Sequence, residues 1–439
     1  MSKFQVIFIA ILIFIIFAGV AIFATFKDSS VGAATVKIWG TLPQIVFDDF
    51  LNQVRSEVDQ SLKIVYEEKS ESDFDKEFIE ALARREGPDV ILIPHDKLLR
   101  HIDKIYEVSY KAYSERIFKD AFIEEGELYL RQEGVVAFPF SIDPLVMYWN
   151  RDIFSDVTEV SPPERWGAYY DLIKKINTED DAHNITKTAL SLGEFENVNN
   201  AKEILALLFM QSGNPIVDRL QVSTPTQSTN TEFGLRSTLQ ERYGLVVGPS
   251  EIALNFYAQF SNPIKTFYSW NRTLPASKSF FLSGDLATYF GFASEYADLK
   301  KKNSNLNFDV AFMPQSDQVG KRMTFGRMMG FSLLTSSAQI AEAYRVVNVL
   351  TSDPALELWV SASGLPPVRR SLLAKKPESS AASVFYDSAL NARSWFDPDA
   401  LETKNIFQDL VESVTSGRSR ISDAVQKATQ EIDLLFERL

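Results

Sequence analysis

The amino-acid sequence predicts an α/β fold with two lobes, and three observations carry this prediction. Short apolar runs bounded by turn residues alternate with segments of helical spacing along most of the chain. The first segments follow the order strand, helix, strand, helix, strand, which is typical of a parallel sheet covered by helices. The apolar runs 135–140 and 145–149 flank the polar tetrad 141–144, which favours a chain that leaves one sheet and enters another.

Composition restricts the functional classes. The chain has 439 residues, enough for two or three domains with sizeable cores. A net charge of −13 argues against nucleic-acid binding, because phosphate groups would be repelled. The lack of cysteine excludes disulfides, Cys-ligated zinc, thiolate nucleophiles and a Cys-linked lipid anchor.

The N-terminus carries 21 consecutive residues without a charge, 6–26. As a helix this stretch would be about 31 Å long, the thickness of a hydrocarbon core. We therefore predict an uncleaved transmembrane signal anchor over 4–27, single-pass in the cell membrane, with the large domain extracytoplasmic. Cleavage after the small residues 32–34 is the alternative.

The first elements after the linker place one edge of a sheet. Because ligands bind at the carboxyl ends of parallel strands, residues 40–43 and 94–96 are expected on the binding edge. Thr41 lies there, directly after the first strand. The predicted elements are a strand at 35–39, a helix at 45–58, a strand at 62–66, a helix at 74–83 and a strand at 89–94.

The tetrad 141–144 is interpreted as a crossing point between two lobes. Pro144 has no N–H to donate, so the strand ladder is expected to break there. Ser141 and Asp143 would then face a cleft. An ordinary buried strand with a proline bulge is the alternative interpretation.

The second half of the chain continues the alternation of strands and helices. A helix, a turn at Gly284 and a strand are predicted within 280–289, and an exposed polar insertion at 222–238. Further strands are predicted at 307–314 and 323–334. Helices are predicted at 162–176, 202–211, 251–260, 338–350, 355–361 and 400–439.

Ten short motifs, in this order, resemble the bacterial family 1 extracellular solute-binding proteins, the maltose-binding-like receptors of ABC importers. The resemblance covers nearly everything from Val36 to Leu439. The motifs are VKIWG from Val36, EGPDV from Glu86, FPFSID from Phe138 with YWNRD from Tyr148, PERW from Pro163, YSW from Tyr268, FFLSG from Phe280, residues 309–314, TSDP from Thr351, GLPPVR from Gly364 and SGR from Ser416.

The resemblance implies a type II periplasmic-binding-protein fold with hinge crossings between two lobes that close on a ligand. Lobe one would comprise 35–141 plus 326–372, and lobe two 143–325 plus 375–439. ABC permease subunits would recognise the closed form of the receptor. A monomer that binds a small-molecule solute, a sugar or polyol, with no cofactor and no metal, is expected.

The chain also departs from the family pattern. A helix replaces the usual lipid-anchoring cysteine or cleaved signal, and Ser294 stands near a frequent tryptophan position. The aromatic residue that sugar-binding relatives place after the third strand is missing, since 93–96 reads Ile-Pro-His-Asp. The hinge loop reads Phe-Gly-Arg-Met-Met-Gly over 325–330. A glycerol-phosphate-type ester or a small peptide therefore stays open as a ligand.

Aromatic and polar side chains supply the candidate ligand contacts. Trp270, Trp395 and Phe195 are candidates for stacking on a sugar ring, whereas packing in loops or core is the alternative. Trp39, Trp149 and Trp166 are predicted core residues. The polar and hinge candidates are Thr41, Ser141, Asp143, Arg327 and Met328; Arg327 could bind a hydroxyl or carboxylate with bidentate geometry.

Enzymatic function is not supported by any motif. The chain has no G-x-S-x-G, H-E-x-x-H or P-loop sequence. His95 with Asp96 is interpreted as a turn and helix start, and the acidic loop 179–181 beside His183 as a solvated loop. A tethered sensor or adhesin with the same fold is the first alternative to a transport receptor, and a hydrolase the second.

Overall fold

The computed structural model describes residues 35–219, 234–317, 321–375, 377 and 379–439. The anchor predicted over 4–27 lies outside these residues. No helix within the described ranges has the length and apolar character needed to cross a bilayer. The strands of these ranges are β1 Val36–Gly40, β2 Ile64–Glu68, β3 Val90–Pro94, β4 Val108–Ser109, β5 Gly134–Val135, β6 Phe138–Asn150, β7 Thr178–Glu179, β8 Ile185–Lys187, β9 Val217–Arg219, β10 Leu235–Ser237, β11 Thr288–Phe292, β12 Phe308–Ala311, β13 Thr324–Leu333 and β14 Ala392–Arg393.

The α-helices alternate with these strands, and short 3₁₀ helices include His95–Lys97 and Glu124–Tyr129. The α-helices of the described ranges are α1 Gln44–Glu57, α2 Phe74–Ala83, α3 Leu98–His101, α4 Glu115–Ala121, α5 Arg151–Asp156, α6 Tyr169–Ile176, α7 Ala201–Gln211, α8 Pro249–Ala258, α9 Ser277–Leu282, α10 Glu295–Lys302, α11 Ile340–Leu350, α12 Asp353–Ser363, α13 Arg370–Leu373, α14 Ser380–Leu390, α15 Ala400–Thr415 and α16 Ile421–Phe436.

The N-terminal strands form the parallel sheet that the sequence predicts. β1 pairs in parallel with β2 on one side and with β3 on the other. The apolar face of α1 covers this sheet, because its buried residues recur at helical spacing. Phe50 of α1 packs 5.5 Å from the rings of both Phe140 and Trp359. The carboxyl ends of β1, β2 and β3 therefore lie along one sheet edge.

Two long strands connect the halves of the molecule. The first part of β6 pairs with β13, which also pairs with β3. The second part of β6 pairs with β11 and β12. β6 therefore runs from one half into the other and changes its partner strands on the way.

The buried apolar side chains form two separate cores. One core contains residues between Val36 and Ile142 and again between Met328 and Leu372. The second contains residues between Leu145 and Phe325 and most buried apolar side chains after Ala381. The chain changes core within β6, within β13, between Leu372 and Ala381, between Phe385 and Ala389, and again between Ala392 and Trp395. The changes within β6, within β13 and between Ala392 and Trp395 are called the first, second and last crossing below.

The ladder between β6 and β13 ends at Pro144, as predicted, and the pairing of β6 with β11 begins at Leu145. β6 nevertheless continues as one strand, and the Pro144 carbonyl accepts the Ala293 N–H at 3.0 Å. Other predicted elements need correction. Part of the predicted exposed insertion, 235–238, is strand β10 and its end, with Ser237 and Thr238 buried; 222–233 lies outside the described residues. The helix predicted over 400–439 is two helices, separated by a turn in which Gly417 has φ of +73°.

Candidate ligand-binding site

A cleft of about 1160 Å³ lies at the carboxyl ends of β2 and β3. Residues from the first half of the chain form one wall, and the start of α15 forms the other. This is the sheet edge at which α/β folds bind ligands, and it contains the predicted position Asp96. We call it the carboxyl-edge cleft; its lining is Ser70, Glu71, Ser72, Asp75, Lys76, Ile79, Glu80, Asp96, Lys97, Arg100, His101, Asp399, Ala400, Leu401 and Lys404.

Arg100 joins the two walls of the carboxyl-edge cleft. Its guanidinium lies 3.3 Å from the Asp75 carboxylate and 3.1 Å from that of Asp399. His101, which is buried, bonds to the other oxygen of Asp75 at 2.8 Å. The contact between Arg100 and Asp399 joins segments that are 299 residues apart in the sequence.

The first and second crossings meet in register at Asp143 and Arg327, which lie opposite each other on β6 and β13. Asp143 accepts the backbone N–H of Ser294 at 2.9 Å. The Arg327 guanidinium pairs with Glu203 of α7 and lies 3.9 Å from the ring centre of Phe292. The side chain of Arg327 keeps 46% of its surface exposed to solvent.

Burial sets the charge states around the crossings. Burial raises the pKa of Asp143 to about 6, although Ser294 and Arg327 act against it. Burial also raises the pKa of Asp397 to about 6, against the ammonium of Lys202 at 2.6 Å. For Glu203 burial is again the largest effect, but Arg327 and Lys202 outweigh it and hold the pKa below its usual value.

The last crossing is held by a second polar group. Burial raises the pKa of the Glu125 carboxyl to about 8, opposed by nearby Arg393 and the backbone N–H of Ser394. Its neighbour Glu124 pairs with Arg393 and lies 3.4 Å from Lys321. This region, with Phe396, borders a cavity of about 360 Å³ between Glu124–Tyr129 and the β9 strand.

The predicted aromatic candidates lie in the second core. Trp270 is fully buried; its indole N–H donates to Asn197 at 2.9 Å, and its ring packs edge-on against Phe280. Trp395 is stacked on Phe407 at 6.0 Å, and Phe195 is 4% exposed. The structure differs here from the predicted stacking platforms, because core packing occupies the ring faces that a sugar would need.

The remaining candidates divide between edge and core. Thr41 is partly exposed directly after β1, as the edge prediction requires. Ser141 is buried opposite Met329, and Met328 is buried in the first core, so neither side chain reaches open solvent in this conformation. Trp39 and Trp166 are buried, as predicted, whereas Trp149 is half-buried.

Several residues of the site carried little sequence signal. His95 begins the 3₁₀ helix His95–Lys97, as the turn-and-helix interpretation predicted, but its buried position between two crossings was not foreseen. Arg100 lies in α3 and Asp399 directly before α15, and nothing in the sequence predicts a contact between them. Lys202 and Asp397 pair across 195 residues, and only the folded structure brings them together.

Two lobes joined by long crossing strands, with a polar cleft between them, define a hinged binding protein. The chain belongs to the bacterial extracellular solute-binding proteins, since the model of that family matches residues 55–385. The resemblance drawn from the sequence motifs is thereby confirmed. No curated protein matches the chain.

Solved structures of sugar receptors share the fold. The cyclic alpha-maltosyl-1,6-maltose binding protein from Arthrobacter globiformis has a TM-score of 0.73 at 14% identity, covering 92% of this chain and 100% of that chain. The sugar-binding protein MalE from Xanthomonas citri has a TM-score of 0.71 at 15% identity, covering 92% and 98%. A cyclo/maltodextrin-binding protein complexed with maltotetraose has a TM-score of 0.69 at 14% identity, covering 91% and 96%.

Proposed function

We propose that the chain is the substrate-binding component of an ABC importer and that it binds a carbohydrate or polyol by hinge closure. The observation that carries the proposal is the carboxyl-edge cleft between two walls that Arg100 bridges. Membership of the extracellular solute-binding family and the sugar receptors of like fold support it. No catalytic residue is assigned.

The lining of the cleft supports recognition by polar groups rather than by ring stacking. The described residues around the cleft include carboxylates, ammonium groups, a guanidinium and hydroxyls, and their only aromatic ring is the imidazole of His101. Such groups suit a short, hydroxyl-rich solute. We assign ligand contacts to Asp96 in the cleft, to Asp143 and Arg327 at the crossings, and to Thr41 directly after β1.

The remaining parts of the proposal concern the whole chain. Lobe one would comprise 35–141 plus 326–372 and lobe two 143–325 plus 375–439; the two cores support most of this division, although Ala389 and Ala392 pack in the first core. A helix over 4–27 would anchor the protein in the cell membrane as a monomer, with the lobes outside and presented to ABC permease subunits. Retention of the full-length protein in the membrane fraction after a carbonate wash would support the anchor.

The proposal is tested by thermal unfolding of the purified full-length protein with maltose, maltotriose, glycerol, glycerol 3-phosphate and a dipeptide. A true ligand at 100 times its Kd should stabilise the protein by about 2.7 kcal/mol. Arg327→Gln should weaken calorimetric binding by about 1.5–3 kcal/mol, because a charged hydrogen bond is lost. Arg322→Gln, on the exposed arginine five residues earlier, is the matched control. Binding of the dipeptide alone would refute a carbohydrate or polyol ligand.

A further inference from the structure

His95 lies between two of the crossings that connect the cores. It follows β3 in the first core, and its ring is 6.2 Å from that of Phe325 at the second crossing. Only 6% of the residue is exposed. Buried imidazoles need hydrogen-bond partners, and the partners of His95 come from β13 and from the segment after β14.

Each ring nitrogen of His95 binds a different crossing. Nδ1 accepts the backbone N–H of Met328, at 3.3 Å, on the second crossing. Nε2 lies 2.5 Å from the hydroxyl of Ser394, on the last crossing. A backbone N–H can only donate, so Nδ1 must be unprotonated and Nε2 must carry the hydrogen. One neutral tautomer of His95 therefore forms both hydrogen bonds, to Met328 on the second crossing and to Ser394 on the last crossing.

The surroundings of His95 keep the imidazole neutral. Burial is the largest effect and lowers its pKa, whereas Asp96, the next residue along the chain, and the backbone of Met328 raise it. The cations of Lys202 on α7 and Arg327 on β13 act in the same direction as burial, and the pKa stays below its usual value. From the other side of Ser394, Glu125 and Arg393 face the same segment.

Tyr129 supports the same position on β13. Its hydroxyl donates to the Met328 carbonyl at 3.2 Å, so both backbone groups of Met328 are bonded by side chains of the first core. The second crossing is thus fixed on one side by Tyr129 and His95. The last crossing receives its corresponding bond from His95 at Ser394.

We propose that His95 is a positioning residue of the hinge: its neutral imidazole holds the second and last crossings in the mutual arrangement seen with the lobes together. The inference rests on the proposed hinge closure. Protonation at Nδ1 would remove the acceptor for Met328 N–H, so the arrangement should loosen as the pH falls through the lowered pKa of His95. The expected transition lies below the ordinary titration range of histidine.

The test measures the distance between the lobes with spin labels. The chain has no cysteine, so Lys111→Cys and Lys301→Cys give two unique labelling sites on the full-length protein. Both positions are exposed; Lys111 follows Tyr110, which packs on the first core, and Lys301 lies two residues after Leu299 of the second core. At about pH 7.5 we expect His95→Phe to broaden the distance distribution and shift it to longer distances. Ser394→Ala should produce a smaller shift in the same direction, because it removes one bond only.

The pH profile separates a positioning role from a general loss of structure. Burial raises the pKa of Glu125 to about 8 and the pKa values of Asp143 and Asp397 to about 6, but these groups are present in wild type and variant alike, so the difference between the two proteins reports on His95. This difference should vanish on acidification, because the wild type then loses the same bond. His183→Phe, on an exposed histidine, is the matched control and should behave as wild type.

Equal distributions for wild type, His95→Phe and Ser394→Ala at neutral pH would overturn the proposal. If His95→Phe does not fold, as judged by circular dichroism, Ser394→Ala decides alone. A pH response that persists unchanged in His95→Phe would assign it to another group, such as His101, and would also overturn the proposal. The experiment contains no ligand, so a failure here is distinct from a failure to bind any solute.

Discussion

At the scale of single residues, aromatic side chains that are suited to binding a sugar, such as Trp270, lie buried in the second core. The indole N–H of Trp270 donates a hydrogen bond to the side-chain oxygen of Asn197. The side-chain amide of Asn197 in turn donates to the carbonyls of Asn271 and Leu274. This network fixes the loop before α9. The ring therefore contributes to the shape of lobe two from inside rather than through a contact with solute.

Trp270→Ala should lower the free energy of unfolding by about 3–5 kcal/mol, because it opens a cavity and leaves the Asn197 oxygen unpaired. Urea unfolding followed by circular dichroism measures the change. Trp270→Phe, which keeps most of the apolar volume, should lose much less. A loss of ligand affinity without a loss of stability would instead restore the stacking role predicted from the sequence.

At the scale of elements, the second crossing depends on a close approach of backbones. A Cβ at Gly326 would lie 2.8 Å from the Cβ of Ala392 on β14 and 2.8 Å from Cδ1 of Ile142 on β6. The Ala392 Cβ is fixed to the backbone and cannot rotate away. Three strands therefore meet at Gly326 at a separation that only glycine allows.

Gly326→Ala should destabilise the protein by about 1–3 kcal/mol, the cost of overpacking, and should widen the interlobe distances. Chemical denaturation and the spin-label pair described above measure the two effects. Gly213→Ala, in an open turn where a Cβ meets nothing within 4 Å, controls for the added methyl group, although its φ of +96° adds strain of its own. An unchanged distance distribution in Gly326→Ala would contradict the expected role of this glycine.

Local patterns predicted the elements better than their ends and junctions. Apolar spacing placed α1, α2 and β3 within one or two residues, because each buries one face or the whole strand. Pro144 correctly marked the end of the ladder between β6 and β13, whereas the continuation of β6 with the new partner β11 is a tertiary event. The stop between α15 and α16 rests on the left-handed conformation of Gly417, which helical spacing alone does not reveal.

At the scale of the whole molecule, buried carboxyl groups set how stability depends on pH. The pKa of Glu125 is raised to about 8 by burial, so the folded state binds this proton more tightly than the unfolded chain. Its contribution is full below the ordinary pKa of glutamate and is lost as the pH rises through about 8. Asp143 and Asp397 act in the same direction near pH 6.

His95, whose pKa is lowered, acts in the opposite direction below the ordinary pKa of histidine. We therefore expect the free energy of unfolding to fall by a few kcal/mol, as an order of magnitude, between about pH 6.5 and about pH 9. Glu125→Gln should flatten this dependence, because an amide does not titrate. Urea titrations across the range test the expectation, with Glu127→Gln on a partly exposed neighbour as control. A wild-type profile that rises with pH over this interval would contradict the sign.

The two-lobed architecture was predictable because alternating strands and helices, and their motif order, extend over the whole chain. The walls of the cleft were only half predictable. Residues 94–96 followed from the rule about strand ends, whereas Asp399 and Lys404 reach the cleft through the docking of α15, a contact between distant segments. The same limit hid the partnership of His95 with Ser394, since 299 residues separate them.

The Arg100 bridge also makes access to the cleft a matter of ionic strength. Half of the Arg100 side chain is exposed, so dissolved ions compete for its partners Asp75 and Asp399 and weaken both contacts. At low ionic strength the ion pairs of Arg100 would be formed for a larger fraction of the time, and at high ionic strength for a smaller fraction. The ionic strength around the protein would therefore change how readily a solute enters the carboxyl-edge cleft, without any change in the groups that bind it.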